Sequence, residues 1–386
     1  MVYLDYSATS PLLKEARDAM LSAMETPANP SALHTPGHLA MNQIEAARAE
    51  IAKLINAEPE EIIFTSGGTE SNNTVINIFS GQPVLISSIE HPSIIEPAKA
   101  LTSVNFIPVN KQGIIDYKAF TKLLVEKKTA LVSIMLANNE IGTIEHDLKN
   151  FVDLAHQHGA LFHTDATQAL GKIPIDVKSL GADYMTLSSH KIGGPVGIGV
   201  LYVKKNSPFR ALMLGGHQEK GRRAGTYQTV NISGFGAAAK YANKHQTWKT
   251  YEQTIRPLRD RLAAEILEKV PHSSINTPLD KTLSLPHILN CSFEAAEGES
   301  IQLYLDAEGG IIVSTGSACA SGDGKPSHVL MAIKNDAEVA HSSIRFSLGL
   351  FTTSSDIDHI MKYLPNIVKR LQGISTIQLK KQKENR

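Results

Sequence analysis

Seven short apolar runs rich in β-branched residues mark the first part of the chain, at 61–65, 83–88, 104–109, 130–136, 160–164, 183–187 and 198–203. Each has the length of a strand and ends in small or polar residues. Between them the period changes. Ile44, Ala47, Ile51 and Leu54 recur at three and four residues, the spacing of one helical face, and Phe120, Leu123 and Leu124 trace another. Strands alternating with helices predict an α/β fold: a mostly parallel central sheet sandwiched by helices. Near 205–227 the pattern gives way to glycine and charge. Two helical stretches follow, the second carrying Ile255, Leu258, Leu262 and Ile266. That helix leads into a smaller C-terminal α+β part. The expected division is a large domain over 15–250 and a small one made of 1–14 with 251–386.

Length and composition narrow the class. At 386 residues the chain exceeds one ordinary core. Its 38 basic and 38 acidic residues balance, so no nucleic-acid or anionic-membrane surface is expected. No apolar run approaches the ~20 residues of a membrane helix. The start, Met1-Val2-Tyr3-Leu4-Asp5, meets an acid too early for a secretory leader. The two cysteines, Cys291 and Cys319, form no CxxC, which points away from a disulfide framework or a metal site and towards a reducing, cytoplasmic setting.

The chemistry concentrates where strands end. Ser188-Ser189-His190-Lys191-Ile192-Gly193-Gly194 puts a lysine in a small polar loop, where lysines are ordinarily solvated. Asp165, upstream in His163-Thr164-Asp165-Ala166-Thr167-Gln168, changes that reading, because an acid there closes an apolar run at the crevice end of a sheet. A lysine for a Schiff base and an aspartate for a pyridinium nitrogen are the two protein groups that pyridoxal phosphate needs. Phe64-Thr65-Ser66-Gly67-Gly68-Thr69-Glu70 joins a strand to a helix through two glycines, which suits a phosphate on backbone amides. It has neither GxGxxG nor Gly-Lys-Ser/Thr, so a mononucleotide-like phosphate is expected, with Thr69, Ser188 and His190 as donors. His91 leaves a strand end, where it can stack on a flat ring or move protons, or simply serve a turn. Asn139 and Gln168 are either turn amides or donors to the cofactor's phenolate oxygen. Cys291 reads as a core residue. Cys319, in the small polar stretch Ser314-Thr315-Gly316-Ser317-Ala318-Cys319-Ala320-Ser321-Gly322, has almost nothing to bury and is a candidate nucleophile. Arg345 alternates with apolar neighbours on a strand and forms either a structural ion pair or a two-pronged grip on a carboxylate.

Taken in order, these motifs resemble the cysteine desulfurases of the NifS/IscS type, pyridoxal-phosphate enzymes of fold type I. The segments that carry the likeness are Phe-Thr-Ser-Gly-Gly-Thr-Glu-Ser-Asn, Glu-His, Asn-Asn-Glu-Ile-Gly, Asp-Ala-Thr-Gln, Ser-His-Lys, Gly-Ser-Ala-Cys and Ser-Ser-Ile-Arg-Phe-Ser. They run from Tyr3 to about residue 353, and the Gly-Ser-Ala-Cys stretch resembles the long-loop group. The resemblance implies that Lys191 carries the cofactor, Asp165 meets its ring nitrogen, His91 stacks on it and Gln168 meets its phenolic oxygen. Gly68, Thr69, Ser188 and His190 bind its phosphate. Asn139 and Arg345 hold the substrate carboxylate, and Lys191 moves the α-proton of L-cysteine. Cys319 receives sulfur as a persulfide, with alanine released and His91 managing thiol protons. A homodimer is implied, in which Thr226 reaches the partner's phosphate, and so is a sulfur acceptor, either an iron–sulfur scaffold or a tRNA-thiolation enzyme. Tyr6-Ser7 stands where Asn/His-Ala is more usual, a departure expected to touch no group that does chemistry. The same scaffold also serves selenocysteine lyases and β-elimination or transamination enzymes, but a transaminase has no use for a loop thiol.

Overall fold

The computed structural model of the protein describes residues 1–25, 28–101, 103–315 and 326–375. The chain begins with a two-residue strand, β1 (Val2–Tyr3). The seven apolar runs then become β2 (Ile62–Thr65), β3 (Pro83–Ser87), β4 (Ser103–Ile107), β5 (Leu131–Ser133), β6 (Leu161–Asp165), β7 (Tyr184–Ser188) and β8 (Gly199–Val203). They form one sheet in the order β2-β8-β7-β6-β5-β3-β4. Only β8 runs against its neighbours; the other pairings are parallel. β2, β7 and β8 are buried at every position, which is why these strands read as unbroken apolar runs rather than as alternating ones.

Helices cover both faces. Ile44, Ile51, Phe120, Phe151 and Phe235 pack into one core, and Val75, Phe79 and Ile94 into another. The run at 130–136 yields a strand of only three residues. Its ladder persists further, with Ile134 N–H donating to His163 O and Leu136 N–H to Asp165 O, before the chain leaves the sheet.

A further core gathers Val2 and Leu4 with Tyr251, Ile255, Leu262, Ile266, Phe346 and Leu364. Here β9 (Ser273–Ile275), β10 (Ile288–Phe293), β11 (Ile311–Ile312) and β12 (Ser343–Ser347) form the antiparallel set β12-β10-β9 and the parallel pair β1-β11. Helices Arg256–Lys269, Gly298–Gly309 and Ser354–Ile374 surround them. The pattern that begins at Ile255 is not one uniform helix, because a wide turn over Tyr251–Ile255 precedes it. Pro257 has no N–H to return to the turn before it, so the ladder loosens there. Cys291 lies fully inside this core, and burial pushes its thiol up into an inert range.

Between the two parts the N-terminal segment crosses over. Asp5 bridges to Ser347, Ser10 N–H donates to His190 O, and Leu13 N–H to Gly193 O. Gly349 is glycine because the Tyr6 ring lies against it: a Cβ there would stand 1.9 Å from a ring carbon. The chain start is thereby laid along the loop that holds Lys191.

Candidate active site

In a parallel sheet every crossover returns a strand to the same edge, so the residues just past the carboxyl ends share one crevice. β2 leads to Ser66-Gly67-Gly68-Thr69, β3 to Glu90-His91 and β5 to Asn139, while β6 ends on Asp165 and β7 on Ser188 ahead of His190-Lys191. These meet in a cleft of ≈ 820 Å³. Gly68, Thr69, His91, Asn139, Asp165, Gln168, Ser188, His190, Lys191 and Arg345 all line it. Thr226 does not; it is exposed, on the turn after Gly225. Cys319 lies outside the described residues.

Asp165 is buried, and its partners are neutral donors. Asn72 Nδ2 donates to Oδ2 at 2.8 Å and Thr167 N–H to Oδ1 at 2.9 Å. No cation pairs with it among the described residues, so its charge faces the cleft. The same Asn72 Nδ2 donates to Ser93 Oγ at 2.8 Å, and Ser93 Oγ lies 2.7 Å from His91 Nδ1. Ser93 N–H also donates to Nδ1, which therefore carries no proton, so the Ser93 hydroxyl donates to it and the His91 proton sits on Nε2. Burial lowers the His91 pKa and keeps the ring neutral, with the nearby Asp165 charge only partly opposing this.

Lys191 Nζ donates to the main-chain oxygens of Ser7 and Ala8, at 2.5 and 2.7 Å. Gln168 Nε2 donates to the same Ser7 oxygen at 3.0 Å. The expectation that the Tyr6-Ser7 departure touches no chemical group is thus corrected. Ser7 contacts Lys191 directly, but through its carbonyl, which any residue at that position would supply.

Arg345 is also tied down. Its NH1 donates to Asn139 O at 2.9 Å and its NH2 pairs with Asp5 Oδ1 at 3.0 Å, while the buried Nε–H has no partner among the described residues. Of the two sequence readings, the structure shows the ion pair, with Asp5, and Arg345 also lines the cleft.

The helix Gly68–Ile78 opens at the cleft, and the N–H groups of its first turn have no carbonyl of their own helix to bind. His190 stands nearby, with Thr9 Oγ1 3.3 Å from its Nδ1. Burial, followed by the Lys191 and Lys172 charges, holds its pKa down at about 4. Behind the cradle, Glu70 accepts from Ser66 N–H and pairs with Arg223.

Two buried acids were not singled out by their spacing. Glu90 accepts from Met135 N–H at 2.6 Å through one oxygen, its other oxygen has no partner among the described residues, and burial raises its pKa well above the usual range. Glu140 accepts from the Ser327 hydroxyl at 2.5 Å and is pushed up to about 7 by burial, against the pull of that bond and of Arg345. Both sit inside sequence motifs already noted, Glu-His and Asn-Asn-Glu-Ile-Gly, but only the fold buries them. His163 hydrogen-bonds Ser133 Oγ and Thr186 Oγ1 within the sheet, as befits a structural residue.

Pyridoxal 5′-phosphate fits this donor set on the cleft's own terms. Asp165 is a carboxylate in need of a cationic N–H, and the helix start needs an anion. Gln168 Oε1, Thr167 Oγ1 and Asn72 Oδ1 are buried polar atoms that have no partners among the described residues around the same space. A sheet of this topology with an amine and an unmatched carboxylate at its crevice defines a pyridoxal-phosphate enzyme of fold type I.

The aminotransferase class-V family model matches residues 2–360. The chain is 43% identical to the cysteine desulfurase IscS of Dictyoglomus turgidum, over 97% of this chain and 96% of that one. A solved NifS-like protein from Rickettsia africae superposes with a TM-score of 0.88 at 33% identity, covering 96% of this chain and 99% of the other. A solved structure of SspA in complex with cysteine matches with a TM-score of 0.77 at 32% identity, covering 92% of this chain and 100% of that one. The chain belongs to the class-V aminotransferases and, within them, to the cysteine desulfurases.

Proposed function

We propose that this enzyme takes sulfur from L-cysteine, placing it on Cys319 as a persulfide and releasing L-alanine. The reaction balances without an added oxidant: the Cys319 thiol gains the substrate's sulfur, and the substrate carbon keeps a hydrogen in its place. The observation that carries the reading is the meeting of Lys191, Asp165 and Arg345 around one cleft, delivered by strand ends far apart in sequence.

Pyridoxal phosphate supplies, when bound, an electron sink for the α-carbon of the amino acid. Asp165 would hold its ring nitrogen, Gly68, Thr69, Ser188 and His190 would hold its phosphate, Gln168 would meet its phenolic oxygen, and Lys191 would carry it. The Lys191 amine then accepts the α-proton and returns it. Arg345, braced by Asp5 and by the Asn139 carbonyl, grips the substrate carboxylate, with Asn139 beside it. His91 lies over the cleft with a proton on Nε2 and, being neutral, can donate that proton or take one from a thiol. The reaction requires Cys319 as a free thiol, so a reducing, cytoplasmic setting is part of the proposal.

The reading extends to a homodimer, in which the exposed Thr226 turn serves the partner's phosphate, and to delivery of sulfur to an acceptor for iron–sulfur assembly or tRNA thiolation. It also extends to the division of the chain at about residue 250, where Trp248 packs on one core and Tyr251 in another.

The test is the intact mass of the yellow holoenzyme after a short exposure to L-cysteine, beside Cys319→Ala. A reductant-sensitive gain of one sulfur atom on the parent alone, with alanine formed, is the expected result. No gain and no alanine from a protein with its cofactor in place would sink the proposal.

A further inference from the structure

Lys172 is a lysine that the reaction as described does not use, and it is almost wholly buried, at 1% exposure. It sits at the end of the short turn after β6, the same turn that presents Asp165, Thr167 and Gln168 to the cleft. That turn closes through Lys172 N–H to Ala169 O and is pinned by Thr247 Oγ1 donating to Gly171 O. The side chain runs behind the cleft, where its ammonium donates to the main-chain oxygen of Lys191 at 2.7 Å. Ser10 Oγ donates to that same oxygen at 2.9 Å. Other than this bond, the described residues give the Lys172 ammonium only the face of the Tyr251 ring, 5.8 Å away.

A buried ammonium is costly unless it is paired with an anion. Here none is supplied. The titratable groups facing Lys172 are Lys191 and His190 from the loop after β7, Tyr251 from the wide helical turn, and His287 ahead of β10. Lys191 is a like charge and His190 a neutral base held low. Tyr251 is a phenol held protonated by burial, and the ring nitrogens of His287 have no partners among the described residues. Burial first, and then the Lys191 charge, bring Lys172 down to about 7. Coupling between two such groups is mutual, so a charge on Lys172 disfavours a proton on the Lys191 amine. A second cation beside a reactive lysine is one of the ways in which such an amine is kept unprotonated and nucleophilic near neutral pH.

Resting on the pyridoxal-phosphate reading above, we propose that Lys172 is a positioning residue for Lys191. It fixes the Lys191 backbone from behind, and in its protonated form it disfavours a proton on the Lys191 amine.

The test separates the bond from the charge. Lys172→Gln keeps a donor for Lys191 O and loses the charge; Lys172→Met loses both. The readout is the pH titration of the visible absorption of the holoenzyme, which reports protonation at the Lys191–cofactor linkage, together with cofactor retention on dialysis. Both variants are expected to raise the apparent pKa of that band by about one unit, the scale of one like charge removed through a high effective dielectric. K172M alone is expected to lose cofactor faster than the parent. Ser10→Ala, which removes the other bond on the same carbonyl and no charge, is expected to titrate as the parent does. A K172Q enzyme that titrates with the parent overturns the proposal, whatever its stability. A parent protein with no titrating visible band fails the cofactor reading itself, which is a different result.

Discussion

Glu90 offers the most direct check on the electrostatics of this cleft. Its carboxyl is fully buried and, among the described residues, is bonded only by Met135 N–H, with its second oxygen unpartnered. Burial is the largest cause of its raised pKa, the Met135 bond opposes it, and the Asp165 charge adds to it. The folded protein therefore binds a proton at Glu90 that the unfolded chain, with its ordinary value of 4.5, releases. For a group raised in the folded state, the stabilisation is complete below the unfolded pKa and is lost as pH rises towards the folded one. Inside that window each pH unit costs the parent about 1.4 kcal/mol. Glu90→Gln keeps an acceptor for Met135 N–H and does not titrate. Urea unfolding of parent and variant, holoenzyme in both cases, at pH 5 and pH 6 should show the parent's advantage shrinking by about 1.4 kcal/mol over that interval. An offset between the two proteins that stays constant with pH would refute a protonated Glu90.

Two further outcomes test how the cleft is held. Arg48 and Glu219 form a buried pair at 2.7 Å that also takes Phe64 N–H at the end of β2, so Glu219→Ala should destabilise the fold by about 3–5 kcal/mol, read as a lowered unfolding midpoint. Arg345→Lys keeps the charge but loses the planar fork that bonds Asn139 O and Asp5 together. It should raise KM for L-cysteine by about tenfold, the scale of a lost charge-assisted bond of about 1.5 kcal/mol, with a smaller change in kcat; an unchanged KM would remove Arg345 from the substrate.

Much of this was written locally. Strand and helix are set by periods of a few residues, so the seven runs of the large sheet and the turns that follow them could be read from neighbours alone. Parallel topology then converts position into place, because a residue one step past a strand end must lie at the crevice. For that reason Asp165, His91, Gln168 and Lys191, singled out from short motifs, line a single cleft. The same logic explains the misjudgement at Tyr6-Ser7, since a contact made by a main-chain oxygen leaves no trace in residue identity.

What the sequence determined by itself is the set of reactive groups and the edge of the sheet on which they stand. Only the tertiary structure decided how those groups are tuned. The Asp5–Arg345 pair and the Ser7–Lys191 bond join residues at opposite ends of the chain or across a whole domain, through the pairing of β1 with β11 and the crossing of residues 5–10. Glu90, Glu140 and Lys172 owe their shifted proton affinities to enclosure by elements distant in sequence. Solvation is a property of the whole packed molecule, so no local pattern of residues could have announced it.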